Sequence, residues 1–301
     1  AWLNAIEYDL SRFNFYGDAY PRFNLDCFGP GIVAAFLGAD LENGTGQVWF
    51  RRKEYVPIEK LDFEVDKDNV WLKRVLEFCG KATERFQGKI LFGMPDMGGV
   101  MDILSTFFPG EELLLALYDS PEDVKRLCRK IEECWNVYYD MIAERLNSKE
   151  YGYTDWSGIY SSKPSYITQC DFSYMISSDM FEEFALEGLR AQSDRLFNTI
   201  YHLDGEGELK HLDHLLSIDS LKAVQWVPGS NGKKPTEYTD VYRKILDAGK
   251  NVQLLCYYPE DQLNILSDTG AKGKAMMMIG QYGAEDKRKI MEMLKEMGVE
   301  V

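Results

Sequence analysis

The stretch Thr199-Ile200-Tyr201-His202-Leu203-Asp204-Gly205, with Leu221-Lys222-Ala223-Val224-Gln225-Trp226-Val227 and Asn251-Val252-Gln253-Leu254-Leu255-Cys256 after it, decides how this chain folds. Each run is short, rich in β-branched and aromatic residues, and bounded by turn or helix signals, so each reads as a buried strand. Amphipathic segments separate them: Glu208 to Leu216, Thr236 to Ala248 with Gly249 just past its end, and Pro259 to Asp268. A strand over Lys274 to Ile279 and a helix over Glu285 to Met297 close the series. Strands alternating with helices at this spacing predict a parallel sheet with covered faces. An open doubly wound sheet usually carries a Gly-rich phosphate loop, and no GxGxxG or GxxxxGK(S/T) run occurs. The expectation is therefore an α/β fold, a (β/α)₈ TIM-type barrel, as a single domain over residues 1–301.

Upstream, Lys89 to Met94 reads as a buried strand between Gly88 and Pro95, and Phe23 to Phe28 as another. Ser120 to Asn147 reads as a long helix: Ser120 suits the cap, Pro121 the first turn, and Glu122 and Asp123 the positive end of the dipole. Its apolar stripe is Val124, Leu127, Ile131, Trp135, Tyr138, Ile142 and Leu146. Strands are expected at Glu150 to Trp156 and Tyr166 to Cys170, and a helix from Asp179 to Phe197 capped by Ser177 or Ser178. The chain opens on Ala1 rather than Met, and Trp2 to Ile6 resembles part of a packed element, so an N-terminal lead is expected to be missing.

Charge narrows the function. A net charge of −15 opposes non-specific binding to nucleic acid or an anionic membrane, because the long-range field repels phosphates. The longest apolar runs, such as Leu113 to Leu117, fall far short of the ~20 residues a membrane span needs. The six cysteines (27, 79, 128, 134, 170, 256) are scattered, with no CxxC pair, which reads as reduced thiols in a cytoplasmic protein. Cys79, Cys128 and Cys134 fall on helices and read as small core residues.

A barrel places its chemistry at the C-terminal ends of its strands. Those ends hold Asp26, Asp96, Asp155-Trp156, Cys170-Asp171, His202 and Asp204, Gln225-Trp226, Cys256-Tyr257-Tyr258 and Gln281-Tyr282. His202 and Asp204, two apart on one strand, project to the same side. With Cys256, or else Asp26 or Glu206, they form a candidate zinc site; alternatively Asp204 orients the imidazole or caps the next helix. His211 and His214 read as a partly exposed helix face. Gly98-Gly99 serves either a ligand's approach or a plain turn, and Trp226 and Tyr257 either stack on a flat substrate or roof the barrel.

Tyr201-His202-Leu203-Asp204-Gly205-Glu206-Gly207, Leu215-Leu216-Ser217-Ile218 and Ala223 to Gly229 resemble the later strands of uroporphyrinogen decarboxylase-like proteins. Leu117 to Val124 looks like the helix start LxDxPExV of that superfamily, and Ser173-Tyr174-Met175-Ile176-Ser177 is similar to its substrate loop. The resemblance spans roughly residues 15 to 298 and lies closer to the corrinoid-dependent methyltransferases than to true decarboxylases. No RQAGRY-like stretch occurs, and the last strand ends Gly280-Gln281-Tyr282 where a Gly-His is expected. An octacarboxylate tetrapyrrole would also need a cationic cleft. The loops here offer Lys163, Lys233 and Lys234 amid Asp96, Asp155, Asp171, Asp204, Glu206, Glu260 and Asp261.

The resemblance implies transfer of a methyl group between a small methylated substrate and a corrinoid carried by a partner protein, with zinc held by His202, Asp204 and Cys256. Asp204 stands where that branch has a Cys, which makes the metal a harder Lewis acid and favours an ether oxygen over a thiol. Catalytic candidates are His202, Asp204 and Asp26; substrate candidates are Asp96, Asp155, Trp156, Tyr174, Gln225, Trp226, Tyr257 and Gln281. A cofactor-free decarboxylase using Asp26, or a non-catalytic barrel binding a tetrapyrrole or corrinoid, are the alternatives. An oligomer is compatible with all three.

Overall fold

The computed structural model describes residues 1–44, 46–230, 232–256, 258–278, 287–296 and 298, with Ile290 described by its backbone alone. The expected strand residue Ile279 and the candidates Tyr257 and Gln281 lie outside the described residues. Two compact units share the chain. The larger holds Arg22–His202 and Gly207–Leu221; the smaller holds Ala1–Pro21, Leu203–Glu206 and Lys222–Val301.

In the larger unit the strands are β1 (Arg22–Phe23), β2 (Asp40–Glu42), β3 (Trp49–Arg51), β4 (Leu91–Phe92), β5 (Ser165–Gln169) and most of β6 (Asn198–Asp204). β1 lies parallel to β4, with Phe23 opposite Phe92, and Gly93 N donates to Phe23 O (3.0 Å) beyond it. Met94 N then donates to Thr154 O (2.8 Å), which brings a short extended segment alongside β4. β5 and β6 pair in parallel from Ser165 opposite Asn198 to Gln169 opposite His202. β2 and β3 form an antiparallel hairpin, an addition that period and turn signals did not announce.

The long helix runs Pro121–Arg145, and every stripe residue from Val124 to Leu146 is buried, each contributing about 2 kcal/mol of apolar burial. Ser120 occupies the cap position, but its side chain makes no capping bond; its main-chain oxygen accepts Asp123 N and Val124 N at 3.1 Å each. A second helix, Val70–Phe86, packs Leu72, Val75, Cys79, Ala82 and Phe86 inward. Asn69 caps it, its Oδ1 accepting from Trp71 N (2.9 Å) and Leu72 N (3.2 Å).

Three expectations change here. Glu150 to Trp156 is not a strand: Ser148–Tyr151 is a helical turn, and Gly152 at φ 102° redirects the chain into a single bridge between Tyr153 and Ser161. The strand expected over Phe23 to Phe28 stops at Phe23, and Asp26–Phe28 is a 3₁₀ turn. The helix expected over Asp179 to Phe197 comprises Ser178–Phe181, a π-helical turn Glu182–Leu186, and Glu187–Arg195. Ser177 does cap it, its Oγ accepting Met180 N at 3.2 Å.

The smaller unit has the end of β6, then β7 (Leu221–Val227, from Lys222 on), β8 (Asn251–Leu254) and β9 (Ala275–Met277). β7, β8 and β9 are parallel, with Gln225 opposite Gln253 and Gln253 opposite Met276. The helices Thr239–Asp247 and Pro259–Thr269 follow β7 and β8, as the alternation predicts, and Gly249 and Gly270 end them at φ 79° and 68°. Trp226, Tyr242, Ile245, Val252, Leu254 and Ile265 form the core. The chain is thus mixed α/β with parallel strand pairs. No helix among the described residues is long and apolar enough to cross a membrane.

Candidate functional site

The chain leaves β4 through Gly93-Met94-Pro95 and reaches Asp96. Asp96 Oδ1 accepts the backbone N–H of Gly98 (2.9 Å) and of Gly31 (3.3 Å), and its main-chain oxygen accepts Gly31 N (3.1 Å) and Ile32 N (3.0 Å). No bond from a described residue engages Oδ2. Burial raises this carboxyl to about 6, against the pull of the two N–H donors; the Asp171 and Asp155 charges push the same way as burial. The Gly98-Gly99 pair is what lets the backbones meet. A Cβ on Gly98 would lie 2.8 Å from Gly31 Cα, and one on Gly99 would lie 2.2 Å from Gln169 O.

Asp102 completes this corner, and the sequence reading passed it over. As the third residue of the helix Val100–Phe107 it looks like any acid in a first turn. Its oxygens in fact accept Asp171 N (3.1 Å) and Phe172 N (2.7 Å), opening the 3₁₀ turn Asp171–Met175 that follows β5. Burial first, and the Asp171 charge second, raise it to about 7. The Gly-Gly pair just ahead is the one local signal; the N–H groups that Asp102 accepts come from residues some 70 positions away. Beside it, burial drives the Cys170 thiol and the Tyr201 phenol far up, with the Asp102 and Glu208 charges adding to both.

The same turn is held from its other side. His211 Nε2 meets Ser173 O at 2.9 Å, and Lys210 Nζ donates to Tyr174 O at 3.0 Å. His211 is therefore not the partly exposed residue expected: it is fully buried and stacked on Phe181, ring centroids 4.4 Å apart, and burial lowers its pKa. His214 is half-buried, 3.0 Å from Ser178 Oγ. Tyr174 is exposed, its ring lying where a side chain on Gly207 would stand.

His202, half-buried at the end of the β5–β6 pairing, meets the Trp156 ring edge to face at 5.0 Å. Asp155 is fully buried and its oxygens accept Ser157 N and Ile167 N at 2.8 Å each, so it ties its segment to β5. Asp26 sits on an exposed turn; desolvation of its carboxyl outweighs the attraction of Arg22 and raises its pKa. Asp96, Asp102 and Asp171 come together; Asp26 and Asp155 each answer to Arg22.

In the smaller unit, Asp204 is half-buried, with Gly205 N donating to Val227 O (2.8 Å) just beyond it. Gln225 is fully buried and passes its amide to Gln253 Oε1 (2.7 Å), whose own amide reaches Met276 Sδ (3.2 Å). Trp226 is fully buried against Tyr238. The Cys256 thiol is raised to about 12 by burial and by Asp261. Of the expected zinc ligands, His202 belongs to the larger unit and Asp204 and Cys256 to the smaller. No group of three or more His, Cys, Asp or Glu among the described residues is placed to hold a metal ion.

No protein-family model matches the chain, and no curated protein matches it. Among solved structures, a methyltransferase from Methanosarcina mazei is similar over 98% of this chain and 84% of its own, with a TM-score of 0.63 and 13% identity. At that identity the likeness is one of fold.

Proposed function

We propose that the chain is a methyltransferase built on a (β/α)₈-type barrel, allied to the corrinoid-dependent branch of the uroporphyrinogen decarboxylase-like proteins, and that it demethylates a small substrate. The observation that carries the reading is Asp96. Its Oδ1 is fixed by two backbone N–H groups, and its carboxyl is raised to about 6, which leaves Oδ2 to hold a proton up to about that pH. The parallel strand pairs and the fold likeness support the barrel.

In this reading the bond between the methyl carbon and its heteroatom breaks as the bond to the acceptor forms. The heteroatom takes the Asp96 proton and leaves as water, a neutral alcohol, a phenol or an amine. Asp96 then regains a proton from water. The Trp156 and His202 rings are assigned to the substrate wall, where an apolar methyl group loses little on desolvation. A corrinoid carried by a partner protein, when bound, would supply the methyl-accepting nucleophile. No step is routed through a metal.

The test supplies reduced cobalamin with methanol, methylamines or methoxybenzenes and follows methylcobalamin by absorbance. Asp96→Asn is expected to lower the rate about 100-fold. The wild-type rate should fall as pH rises through about 6, where Asp96 loses its proton. No methylated product from any donor class would end the reading; an undiminished Asp96→Asn rate would remove Asp96 from it.

A further inference from the structure

One cavity of the larger unit lies beside the turn that follows β5. It has a volume of about 490 Å³ and is walled by Phe50 and Arg51-Arg52 of the β2–β3 hairpin, Ser105 of the helix Val100–Phe107, and Phe172 and Met175 of the turn after β5. That size suits a small organic ligand. Its charge is the informative property. In a chain of net charge −15, the ionised residues lining this cavity are two arginines, with no Asp or Glu among them.

The two arginines differ in what they have left to give. Arg52 is committed: its Nη groups donate to both oxygens of Glu112 and to Phe107 O (3.1 Å), which also satisfies the negative end of the helix Val100–Phe107. Arg51 gives its Nε to Glu42 (2.8 Å) and makes no other hydrogen bond among the described residues, so its two terminal amino groups stay available. A planar fork of this kind matches a carboxylate. Two phenylalanines and a methionine also line the cavity, apolar surface that suits a flat apolar body.

We infer that this cavity is a binding site for a small organic anion, a flat apolar body bearing a carboxylate, which Arg51 holds while Phe50, Phe172 and Met175 enclose the body. The site is independent of the methyl-transfer reading and stands or falls without it.

Benzoate is the probe, with benzamide as its neutral counterpart and acetate as the anion without a body, titrated into the full chain by calorimetry and by backbone amide NMR. Benzoate is expected to bind saturably, at least about tenfold more tightly than either control, and to shift the amides of Arg51, Ser105 and Phe172. Arg51→Gln, on an exposed side chain whose loss does not threaten folding, should weaken benzoate about tenfold or more with the circular dichroism spectrum unchanged. Met175→Ala should weaken benzoate and leave acetate unaffected. Equal affinity for benzoate and benzamide, binding unaltered by Arg51→Gln, or no saturable binding by about 20 mM would each overturn the inference.

Discussion

At the scale of single residues, the buried carboxyls set the behaviour of the molecule with pH. Asp102 releases its proton near 7 in the folded chain and near the ordinary Asp value, ~4, once unfolded. Between those values the folded state binds more protons, so this residue's contribution to stability is lost as pH rises through about 7. Asn stays neutral throughout. Asp102→Asn is expected to be less stable than wild type through its poorer bonds to Asp171 and Phe172, and the difference should shrink from about pH 5 to pH 8 in urea denaturation. A cost independent of pH would mean that Asp102 is charged in the fold at neutrality. Cys256 makes the opposite kind of point. With its thiol raised to about 12, alkylation by iodoacetamide near neutral pH should run at least ten times slower than that of a small free thiol, read by mass spectrometry. A fast reaction would mean that the thiol is not raised in the fold.

At the scale of elements, Asn69 does more than its position suggests. It caps the helix Val70–Phe86 with its oxygen, while its amide donates to Ala35 O (3.0 Å) and Phe36 O (3.3 Å) of the preceding helical turn. Asn69→Ala should therefore cost about 2–3 kcal/mol in urea denaturation, above an ordinary cap, and Asn69→Asp, which keeps only the capping half, should fall between. Most elements after residue 199 were legible because the strands are bounded by local signals and the helices Thr239–Asp247 and Pro259–Thr269 end on Gly or begin on Pro. Leu221–Val227 and Pro259–Thr269 stand where that reasoning puts them, to within one residue. The earlier half resisted for a different reason. The three-residue strands of the β2–β3 hairpin are too short to show a period, and Gly152 rather than any hydrophobic pattern ends the expected strand at 150. Asp96 was legible as a strand-end acid. Asp102 was not, because its function lies in the two N–H groups it accepts from another element.

At the scale of the whole molecule, the charge of −15 repels itself, and the raised carboxyls of Asp96, Asp102 and Glu132 are local expressions of crowded negative charge and burial together. Screening should relieve part of this. Between about 10 and 150 mM NaCl the Debye length falls from ~30 Å to ~8 Å, so the melting temperature is expected to rise by a few degrees, about 2–4 °C. A melting temperature that falls with salt would place the net contribution of the surface ion pairs, such as Arg51–Glu42 and Lys73–Asp68, above that of the repulsion.

The π-helical turn Glu182–Leu186 carries a consequence for how this chain can vary. Such a turn holds one residue more than the α-helix it interrupts, so the segment ahead of it is out of phase with the segment behind by roughly 100°. Phe181, which stacks on His211, lies just ahead of that offset. Deleting one residue within 182–186 would leave a more regular helix and a worse protein: the whole leading end would swing about the axis, and Phe181 would leave the imidazole it covers. Insertions and deletions here are thus read as rotations rather than as changes of length, and a variant that has lost one residue must find a new cover for His211 or a new clasp for the turn at Ser173.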